Sequence, residues 1–329
     1  MRKLKIAING LGRIGRAFMR AAVGRPEIEV AAVNDLMPRE NAEYLLRYDS
    51  VYRPRTETIS LEGIQYLSEK DPAKLPWKEL AIDVAVESTG FFASAEAAQA
   101  HIDAGAKRVV VTAPMQDGET VLVGINEGKL KTCKISSNAS CTTNAAAPII
   151  AILDEAIGVE KAILNTVHAY TATQSLVDSL AGKRGMREGR AAAANIIPSS
   201  TGAALAVTKA YPKLEGNFDG ISLRVPVICG SIADITFIAK RHTDADEVNA
   251  ILRRAAKEKR WEGIFSASDA ELVSSDIVGA TEGAIAELSM TRVVGGNLVK
   301  VLAWYDNEAG YAATLVRHVI KAGTTFTVI

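Results

Sequence analysis

Short apolar runs alternate with helical patterns through the first 140 residues of the chain. The apolar runs are too short for helices and are typical of strands buried on both faces; they lie at residues 4–8, 28–33, 82–86 and 109–112. Helical patterns occupy residues 13–23 and the alanine-rich stretch 93–104. This order, with short links, predicts a parallel sheet wound by helices, with its ligand at the carboxyl ends of the strands.

The first apolar run leads into the glycine-rich sequence GLGRIG at residues 10–15. This G-x-G-x-x-G spacing lets backbone approach a pyrophosphate closely while the following helix packs on the strand, although such glycines often mark only a turn. The second run ends at Asp35, where a carboxylate can reach an adenosine ribose hydroxyl and repel a 2′-phosphate. Together these features predict a dinucleotide site that prefers NAD to NADP.

Polar residues follow two later strands on the side of the sheet expected to bind the cofactor. Thr89 and Gly90 come after the third run and Thr112 ends the fourth, where capping a helix is an alternative role for each. The residues predicted to bind the dinucleotide in this half are Gly10, Gly12, Arg13, Ile14, Gly15, Asp35, Thr89, Gly90 and Thr112.

The second half carries an isolated thiol in the polar sequence SNASCTTN at residues 137–144. Structural cysteines usually have apolar neighbours, and a metal site would need more ligands at short spacing, so no metal site is predicted. Cys141 opens a helical pattern, and a helix N-terminus stabilises the thiolate over the thiol. We therefore interpret Cys141 as a nucleophile that needs a base.

One of the four histidines has a suitable position for that base. His101 and His318 lie within helical patterns and His242 opens a polar turn. His168 ends the strand-like run KAILNTVH and is followed by the hydroxyl-rich stretch AYTATQ. The sequence thus predicts a catalytic pair of Cys141 and His168.

Composition narrows the class of protein. The 329 residues, 48% of them hydrophobic, are enough for two domains, and a net charge of zero argues against a dedicated nucleic-acid binder. The chain has three cysteines without zinc-type spacing, no leader pattern before the first strand and no long apolar run. We therefore expect a cytoplasmic protein without a membrane span. The basic stretch 253–260 is expected to be the solvated face of a helix.

Five motifs, taken in order, resemble phosphorylating glyceraldehyde-3-phosphate dehydrogenases. They are SNASCTTN, VHAYTATQ, NIIPSSTGAA, the RVP at residues 224–226 and WYDNEAGY, and with INGLGRIGR the resemblance covers almost the whole chain. It implies an α/β protein with a Rossmann NAD-binding domain at residues 1–140, completed by a C-terminal helix at 306–329. It also implies an α+β catalytic domain at 141–305 with a mostly antiparallel sheet, and a homotetramer.

The resemblance assigns roles to individual residues. Cys141 would form a thioester with glyceraldehyde 3-phosphate and His168 would handle its protons. Asn307 would bind the nicotinamide carboxamide, with Tyr311 near the ring, and an amide there could both donate and accept. The residues implied for the substrate phosphate and for inorganic phosphate are Ser140, Thr142, Thr171, Thr173, Arg187, Thr201, Gly202 and Arg224, with Arg190 as an alternative to Arg187.

The chain departs from the family pattern at several places. Ala145 replaces a second cysteine that many members carry, so oxidation of Cys141 is expected to give a sulfenic acid or a mixed adduct. Ser179 and Leu180 resemble a pattern that accepts NADP, whereas Asp35 repels a 2′-phosphate. We therefore expect a preference for NAD with some use of NADP. The usual proline–asparagine pair is missing at 227–230, and 279–288 also diverges; we expect both changes to affect packing and subunit contacts more than chemistry.

Three other functions compete with this interpretation. Erythrose-4-phosphate dehydrogenases depart from the TATQ sequence at 171–174, and aspartate-semialdehyde dehydrogenases lack the SCTTN and WYDNE pair. A redox-sensing or nucleic-acid-binding protein that retains the fold is the third, since a fold alone does not prove activity. Whether the reaction runs in the glycolytic or the gluconeogenic direction is not encoded in these motifs.

Overall fold

The computed structural model describes residues 2–52, 59–180 and 185–325. The chain forms two compact units. The first contains Met1–Ser140 and Ala312–Ile329, and the second contains Cys141–Tyr311. Helix α7 (Ala309–Thr324) begins in the second unit and continues into the first.

The first unit is built on a sheet of seven strands. Its strands are β1 (Leu4–Asn9), β2 (Ile28–Asn34), β3 (Gln65–Leu67), β4 (Val84–Glu87), β5 (Arg108–Val111), β6 (Glu119–Thr120) and β7 (Ile135–Ser137). Its helices, besides α7, are α1 (Arg13–Ala22), α2 (Arg39–Arg47) and α3 (Ala95–Asp103). The strand order is β3-β2-β1-β4-β5-β7-β6, and every pairing is parallel.

This sheet confirms the predicted parallel, helix-wound architecture. All four residues of β4 (VAVE) and of β5 (RVVV) are buried, which explains why three of the four residues in each strand are aliphatic. The chain order reverses between β1 and β4, and such a switch point is where doubly wound sheets bind ligands. The topology therefore puts the ends of β1 and β4 side by side.

The second unit contains a mixed sheet of seven strands. They are β8 (Val159–Ala169), β9 (Ile197–Ser200), β10 (Phe218–Val225), β11 (Ser231–Ala239), β12 (Phe265–Ser268), β13 (Ala284–Val294) and β14 (Leu298–Tyr305). The order is β12-β13-β14-β11-β8-β10-β9, with four antiparallel and two parallel pairings. The expected mostly antiparallel catalytic sheet is thus observed.

Helices cover one face of this sheet. Helix α4 (Cys141–Ile157) packs on β8, β11, β13 and β14 and against α5 (Ala203–Ala210) and α6 (Ala245–Ala255). Along β11 buried and half-buried residues alternate, as expected where the helices of residues 2–52, 59–180 and 185–325 pack on one face of the sheet.

The charged residues of the basic stretch 253–260 are exposed, as expected, but the stretch is not one continuous helix. Helix α6 ends at Ala255, and the chain turns so that Trp261 is buried, with the Arg260 guanidinium over its ring. Burial of a large aromatic side chain here outweighs continuation of a polar helix. None of the helices within the described residues is long and apolar enough to cross a membrane.

Candidate active site

Cys141 and His168 lie next to each other in the second unit. Cys141 is the first residue of α4, as predicted, and His168 is the penultimate residue of β8. The Sγ atom of Cys141 is 3.3 Å from Nε2 of His168, which is hydrogen-bonding distance for sulfur. The structure therefore brings together the thiol and the imidazole that the sequence paired.

The other ring nitrogen of His168 has two neighbours with opposite demands. Nδ1 is 2.6 Å from the carbonyl oxygen of Ala169, which can only accept, and 2.6 Å from Nη1 of Arg224, which can only donate. Arg224 reaches this place because it pairs in register with His168 on the adjacent strand β10. Action as a base requires the proton on Nδ1, donated to Ala169, and the lone pair of Nε2 directed at the thiol. In that form Nη1 of Arg224 donates to the same Ala169 carbonyl oxygen, 3.1 Å away.

The electrostatics of Cys141 differ from what its place at a helix N-terminus led us to expect. Burial raises the pKa of the Cys141 thiol, whereas the Arg224 guanidinium and hydrogen bonds from Thr142 and from the backbone lower it. The net shift is upward because removing an anion from water outweighs the nearby dipoles and charge. The thiolate therefore depends on transfer of its proton to His168.

Tyr305 is a buried site residue that sequence analysis missed. Its hydroxyl is 2.8 Å from Oγ1 of Thr142 and 2.7 Å from Oγ1 of Thr166, and its ring meets the ring of His168 edge-on at 5.9 Å. Burial raises the pKa of Tyr305, so the phenol stays protonated. Its place in the WYDNE motif is the sequence feature that could have identified Tyr305 as a site residue. Thr142 is 3% exposed and its hydroxyl faces this phenol. Contrary to our expectation, that hydroxyl is therefore not accessible to an anion.

The residues expected to bind phosphate differ in how accessible they are. The hydroxyls of Thr171 and Thr173 are 3.0 Å apart at the exposed turn after β8. Arg187 is exposed, whereas Arg190 is paired with Asp178 at 2.9 Å, which favours Arg187 for an anion. Residues 181–184 of the same loop lie outside the described residues.

The remaining residues predicted to bind phosphate lie at the N-terminal ends of helices α4 and α5. Thr201 is half-buried, its hydroxyl accepts from the Ala203 amide, and the exposed Gly202 caps α5. Ser140 directly precedes α4 and is half-buried. These helix starts provide backbone N–H groups of the kind that bind anions.

The glycine-rich loop of the first unit is shaped as a dinucleotide site requires. Gly10 has φ +93°, and a Cβ there would lie 2.7 Å from the backbone nitrogen of Thr89. A Cβ on Gly15 would lie 2.1 Å from the carbonyl oxygen of Gly10, whereas one on Gly12 would meet no atom within 4 Å. Gly10 and Gly15 thus allow close packing of strand, loop and helix, and the open space beside Gly12 fits a pyrophosphate.

A cavity of about 490 Å³ lies at the switch point of the parallel sheet. Its lining residues include Asn9, Gly10, Gly12, Asn34, Asp35, Leu36, Ser88 and Thr89. The Asp35 carboxylate accepts hydrogen bonds from the amides of Leu11, at 2.5 Å, and Met37, at 2.9 Å, so it also anchors the glycine loop. A carboxylate fixed in this way presents its remaining lone pairs to a ribose.

Two other predicted cofactor residues are engaged within the first unit. The Arg13 guanidinium is paired with Asp49 at 2.7 Å, and Ile14 follows it in the first turn of α1. A contact from this stretch to a pyrophosphate would therefore come from the backbone amides at the start of the helix.

Glu87, at the end of β4, is a buried anchor of the pocket that the sequence did not single out. Its carboxylate accepts from the amide of Thr89 at 2.7 Å and from Nδ2 of Asn9 at 2.6 Å, and it lies 3.0 Å from Nε2 of His101. The Trp77 indole donates to Nδ1 of His101 at 3.0 Å, which places the ring proton on Nε2. This network holds Thr89, while Gly90 (φ +75°) and Thr112 lie at the predicted strand ends without lining the described cavity.

Asn307 is buried and its amide orientation is fixed by its neighbours. Its Oδ1 accepts from the amide of Gly230 at 3.2 Å and from the hydroxyl of Ser231 at 3.0 Å. Because a backbone N–H can only donate, Oδ1 must face Gly230 and the NH₂ group must face away. Asn307 therefore presents a donor, which corrects the expectation that its amide would both donate and accept. Tyr311 is 3% exposed in α7.

The two diverged segments contact the WYDNE loop, so the expectation that they matter mainly for packing and subunit contacts was incomplete. The thiol of Cys229 donates to Oδ1 of Asp306 at 3.2 Å, and the amide of Gly279 donates to Oδ2 at 2.8 Å. Asp306 also accepts from the amides of Glu308 and Ala309 at the start of α7. These segments therefore help to set the position of Asn307.

Comparison with known proteins agrees with this geometry. Residues 4–95 match the model of the glyceraldehyde 3-phosphate dehydrogenase NAD-binding domain, and residues 140–307 match that of the C-terminal domain of the same enzymes.

The chain belongs to the glyceraldehyde-3-phosphate dehydrogenase family.

Similar proteins cover the chain almost from end to end. The glyceraldehyde-3-phosphate dehydrogenase of Eremothecium gossypii is 43% identical over 95% of this chain and 97% of its own length. Glyceraldehyde-3-phosphate dehydrogenase 1 of Nostoc sp. is 44% identical over 96% of each. Glyceraldehyde-3-phosphate dehydrogenase 3 of Saccharomyces cerevisiae is 42% identical over 97% of this chain and all of its own length. The predicted family, α/β fold, NAD cofactor and dehydrogenase activity are thereby confirmed.

Proposed function

We propose that the chain oxidises and phosphorylates glyceraldehyde 3-phosphate through a thioester on Cys141. The observation that carries the proposal is the 3.3 Å contact between the thiol and Nε2 of His168 at the start of a helix. His168 holds the thiol proton while sulfur attacks the aldehyde carbon, and gives it to the aldehyde oxygen. It then takes the hydroxyl proton as hydride leaves that carbon, so the adduct becomes a thioester.

The second half of the reaction needs two anion sites. Inorganic phosphate attacks the thioester carbon and expels the Cys141 thiolate, giving 1,3-bisphosphoglycerate. We assign the attacking phosphate to Ser140, Thr201, Gly202 and the amide of Thr142. We assign the phosphate of the substrate to the exposed hydroxyls of Thr171 and Thr173 with Arg224 and Arg187. A guanidinium with hydroxyls suits a dianion because charge-assisted hydrogen bonds are the strong ones.

The bound NAD supplies the hydride acceptor. Residues of the first unit would hold its adenosine half: the loop from Gly10 to Gly15 at the pyrophosphate and Asp35 at the ribose hydroxyls. Asn307 would donate its NH₂ group to the carboxamide oxygen of the nicotinamide. The Asp35 carboxylate supports a preference for NAD because it repels a 2′-phosphate.

We also propose that the chain forms a homotetramer. The face of the catalytic sheet opposite α4 carries exposed apolar side chains, among them Ile163, 58% exposed, and Ile221, 52% exposed, on neighbouring strands. Exposed apolar side chains grouped on one face of a sheet are common at subunit interfaces. Light scattering of the purified protein tests the assembly; a monomer at micromolar concentration would refute it.

The function is tested by trapping the intermediate. The protein is mixed with glyceraldehyde 3-phosphate and NAD without phosphate, and the Cys141 peptide is examined by mass spectrometry. A phosphoglyceryl adduct on Cys141 that disappears when phosphate is added is expected. Erythrose 4-phosphate, run in parallel, should give a slower burst of NADH; a faster burst would support the tetrose enzyme instead. No adduct and no NADH from folded protein would favour a binding protein.

A further inference from the structure

We propose that Ser231 is a positioning residue that links the strand carrying the catalytic base to the amide that faces the nicotinamide. The inference rests on the role proposed above for Asn307. It begins from the order of strands in the catalytic sheet, where β11 lies between β14 and β8. Ser231 is the first residue of β11, so it lies between the end of β14, which leads to Asn307, and the end of β8, which carries His168.

The hydrogen bonds of Ser231 have only one consistent direction. The amide of Ala169, the residue after His168, donates to Oγ of Ser231 at 3.1 Å. That hydroxyl therefore uses its own proton to donate to Oδ1 of Asn307 at 3.0 Å. The side chain is 1% exposed, so water does not replace either bond.

A second donor reinforces the arrangement from the same segment. The Gly230 amide also donates to Oδ1 of Asn307. Gly230 has φ +89°, and a Cβ there would lie 2.2 Å from the carbonyl oxygen of Ser274, so only glycine fits at this point. The Oδ1 atom of Asn307 is thus held by two donors with its NH₂ group directed away from them, and Ser231 supplies the bond that continues to the His168 strand.

The consequence concerns the cofactor and not the thiol. Without the Ser231 hydroxyl, the Asn307 amide keeps one of its two fixed donors and can rotate, so a nicotinamide bound to it would be less well oriented. Ser231 does not touch Cys141 through any hydrogen bond among the described residues. A loss of orientation predicts weaker nicotinamide binding and hydride transfer to the wrong ring face, which general destabilisation would not produce.

The experiment compares Ser231→Ala with a matched control, Ser222→Ala. Ser222 is a serine of β10 in the same sheet, 2% exposed, whose hydroxyl has no hydrogen-bond partner in the described part of the chain. With deuterated substrate, the position of deuterium on the reduced nicotinamide is read by NMR, together with kcat/KM for NAD. Ser231→Ala is expected to lower kcat/KM for NAD about 10-fold, in the range of one lost buried hydrogen bond, and to place measurable deuterium on the second face. Ser222→Ala should keep both values within about twofold, as expected for a side chain without partners.

Asn307→Ala and the double variant separate this inference from the proposed function. If Ser231 acts through Asn307, Ser231→Ala adds little to Asn307→Ala, because the two changes remove one interaction. If Asn307→Ala has impaired cofactor kinetics and Ser231→Ala has wild-type cofactor kinetics, the role of Ser231 is refuted and that of Asn307 is kept. Wild-type cofactor kinetics in Asn307→Ala would overturn both roles.

Two measurements guard against a folding artefact. Alkylation of Cys141 by iodoacetamide, followed on its peptide, should proceed at the wild-type rate in Ser231→Ala; a collapse in rate would indicate general damage and count against the proposal. If Ser231→Ala does not fold, Ser231→Cys keeps the volume with a weaker donor. That variant is expected to show a smaller loss of kcat/KM and of facial fidelity, and wild-type fidelity would overturn the proposal.

Discussion

The two seven-stranded sheets place their functional groups in different ways. In the first unit all pairings are parallel, β4 and β5 are buried along their whole length, and the groups that we propose to bind the cofactor are mostly backbone atoms of loops. In the second unit the sheet is mixed, and the groups that we propose to carry out the reaction are side chains on strand ends and on the first residue of α4. Parallel strands end together at one edge and supply loop amides there; a mixed sheet instead sets particular side chains opposite one another.

The difference has a chemical consequence. A cofactor is bound by many contacts, so the loss of one weakens affinity by a limited factor. A thioester mechanism depends on a single sulfur and a single base, so loss of either removes most of the rate. The predictions below follow from this contrast.

Removal of the nucleophile should give the largest difference between the loss of turnover and the loss of NAD affinity. Cys141→Ala is expected to lower kcat by about 10⁴-fold or more, because no other group forms the covalent adduct. NAD affinity, measured by quenching of protein fluorescence, should change by less than about threefold, since the cavity at the parallel sheet is built without Cys141. Equal losses of turnover and NAD binding would contradict this separation; Cys133→Ala provides the matched control.

Removing the base should have the next largest effect. His168→Asn retains an amide near the thiol but cannot take its proton at neutral pH, so kcat is expected to fall about 10²- to 10⁴-fold. Because burial raises the pKa of Cys141, alkylation of the thiol at pH 7 should also slow in this variant. His242→Asn, at an exposed turn, is the control. Alkylation at the wild-type rate would show that another group activates the thiol.

A change in the first unit should alter affinity and selectivity but not chemistry. Asp35→Asn keeps the shape of the side chain and loses its charge, so KM for NAD is expected to rise about 10-fold, the value of one charged hydrogen bond. The ratio of kcat/KM for NAD to that for NADP should fall, because the 2′-phosphate is no longer repelled. Asp103→Asn, exposed at the end of α3, should change neither. An unchanged ratio would mean that another group, such as the 179–180 segment, sets the preference.

The last prediction concerns the stability of the first unit in acid and not its activity. Burial lowers the pKa of His318 in α7 to about 3, and the ring is hydrogen-bonded to Ser136 and Asn138. The unfolded chain therefore binds a proton near pH 6.5 that the folded chain does not, and stability should fall as pH drops from about 6.5 towards 3. The slope is about 1.4 kcal/mol per pH unit below pH 6. Urea unfolding of His318→Gln should show a flatter dependence of stability on pH than the wild-type protein.

Local patterns identified much of the fold and of the site. The G-x-G-x-x-G spacing, the strand runs and the start of α4 at Cys141 were predictable because they depend on neighbours in sequence. The end of α6 was not predictable from its charges, since burial of Trp261 decides it. Thr142 was expected at an anion site, but the phenol of Tyr305, far along the chain, occupies its hydroxyl.

The sequence by itself determined the chemistry of this protein: a thiol at a helix start, a histidine at a strand end, a glycine loop and a carboxylate behind the second strand. Tertiary structure alone decided which partners tune these groups. Arg224 meets His168 because β10 and β8 pair in register, and Ser231 connects Ala169 to Asn307 because β11 lies between β8 and β14. The physical reason is that motifs are contiguous in the chain, whereas strand order and burial bring together residues separated by tens of positions.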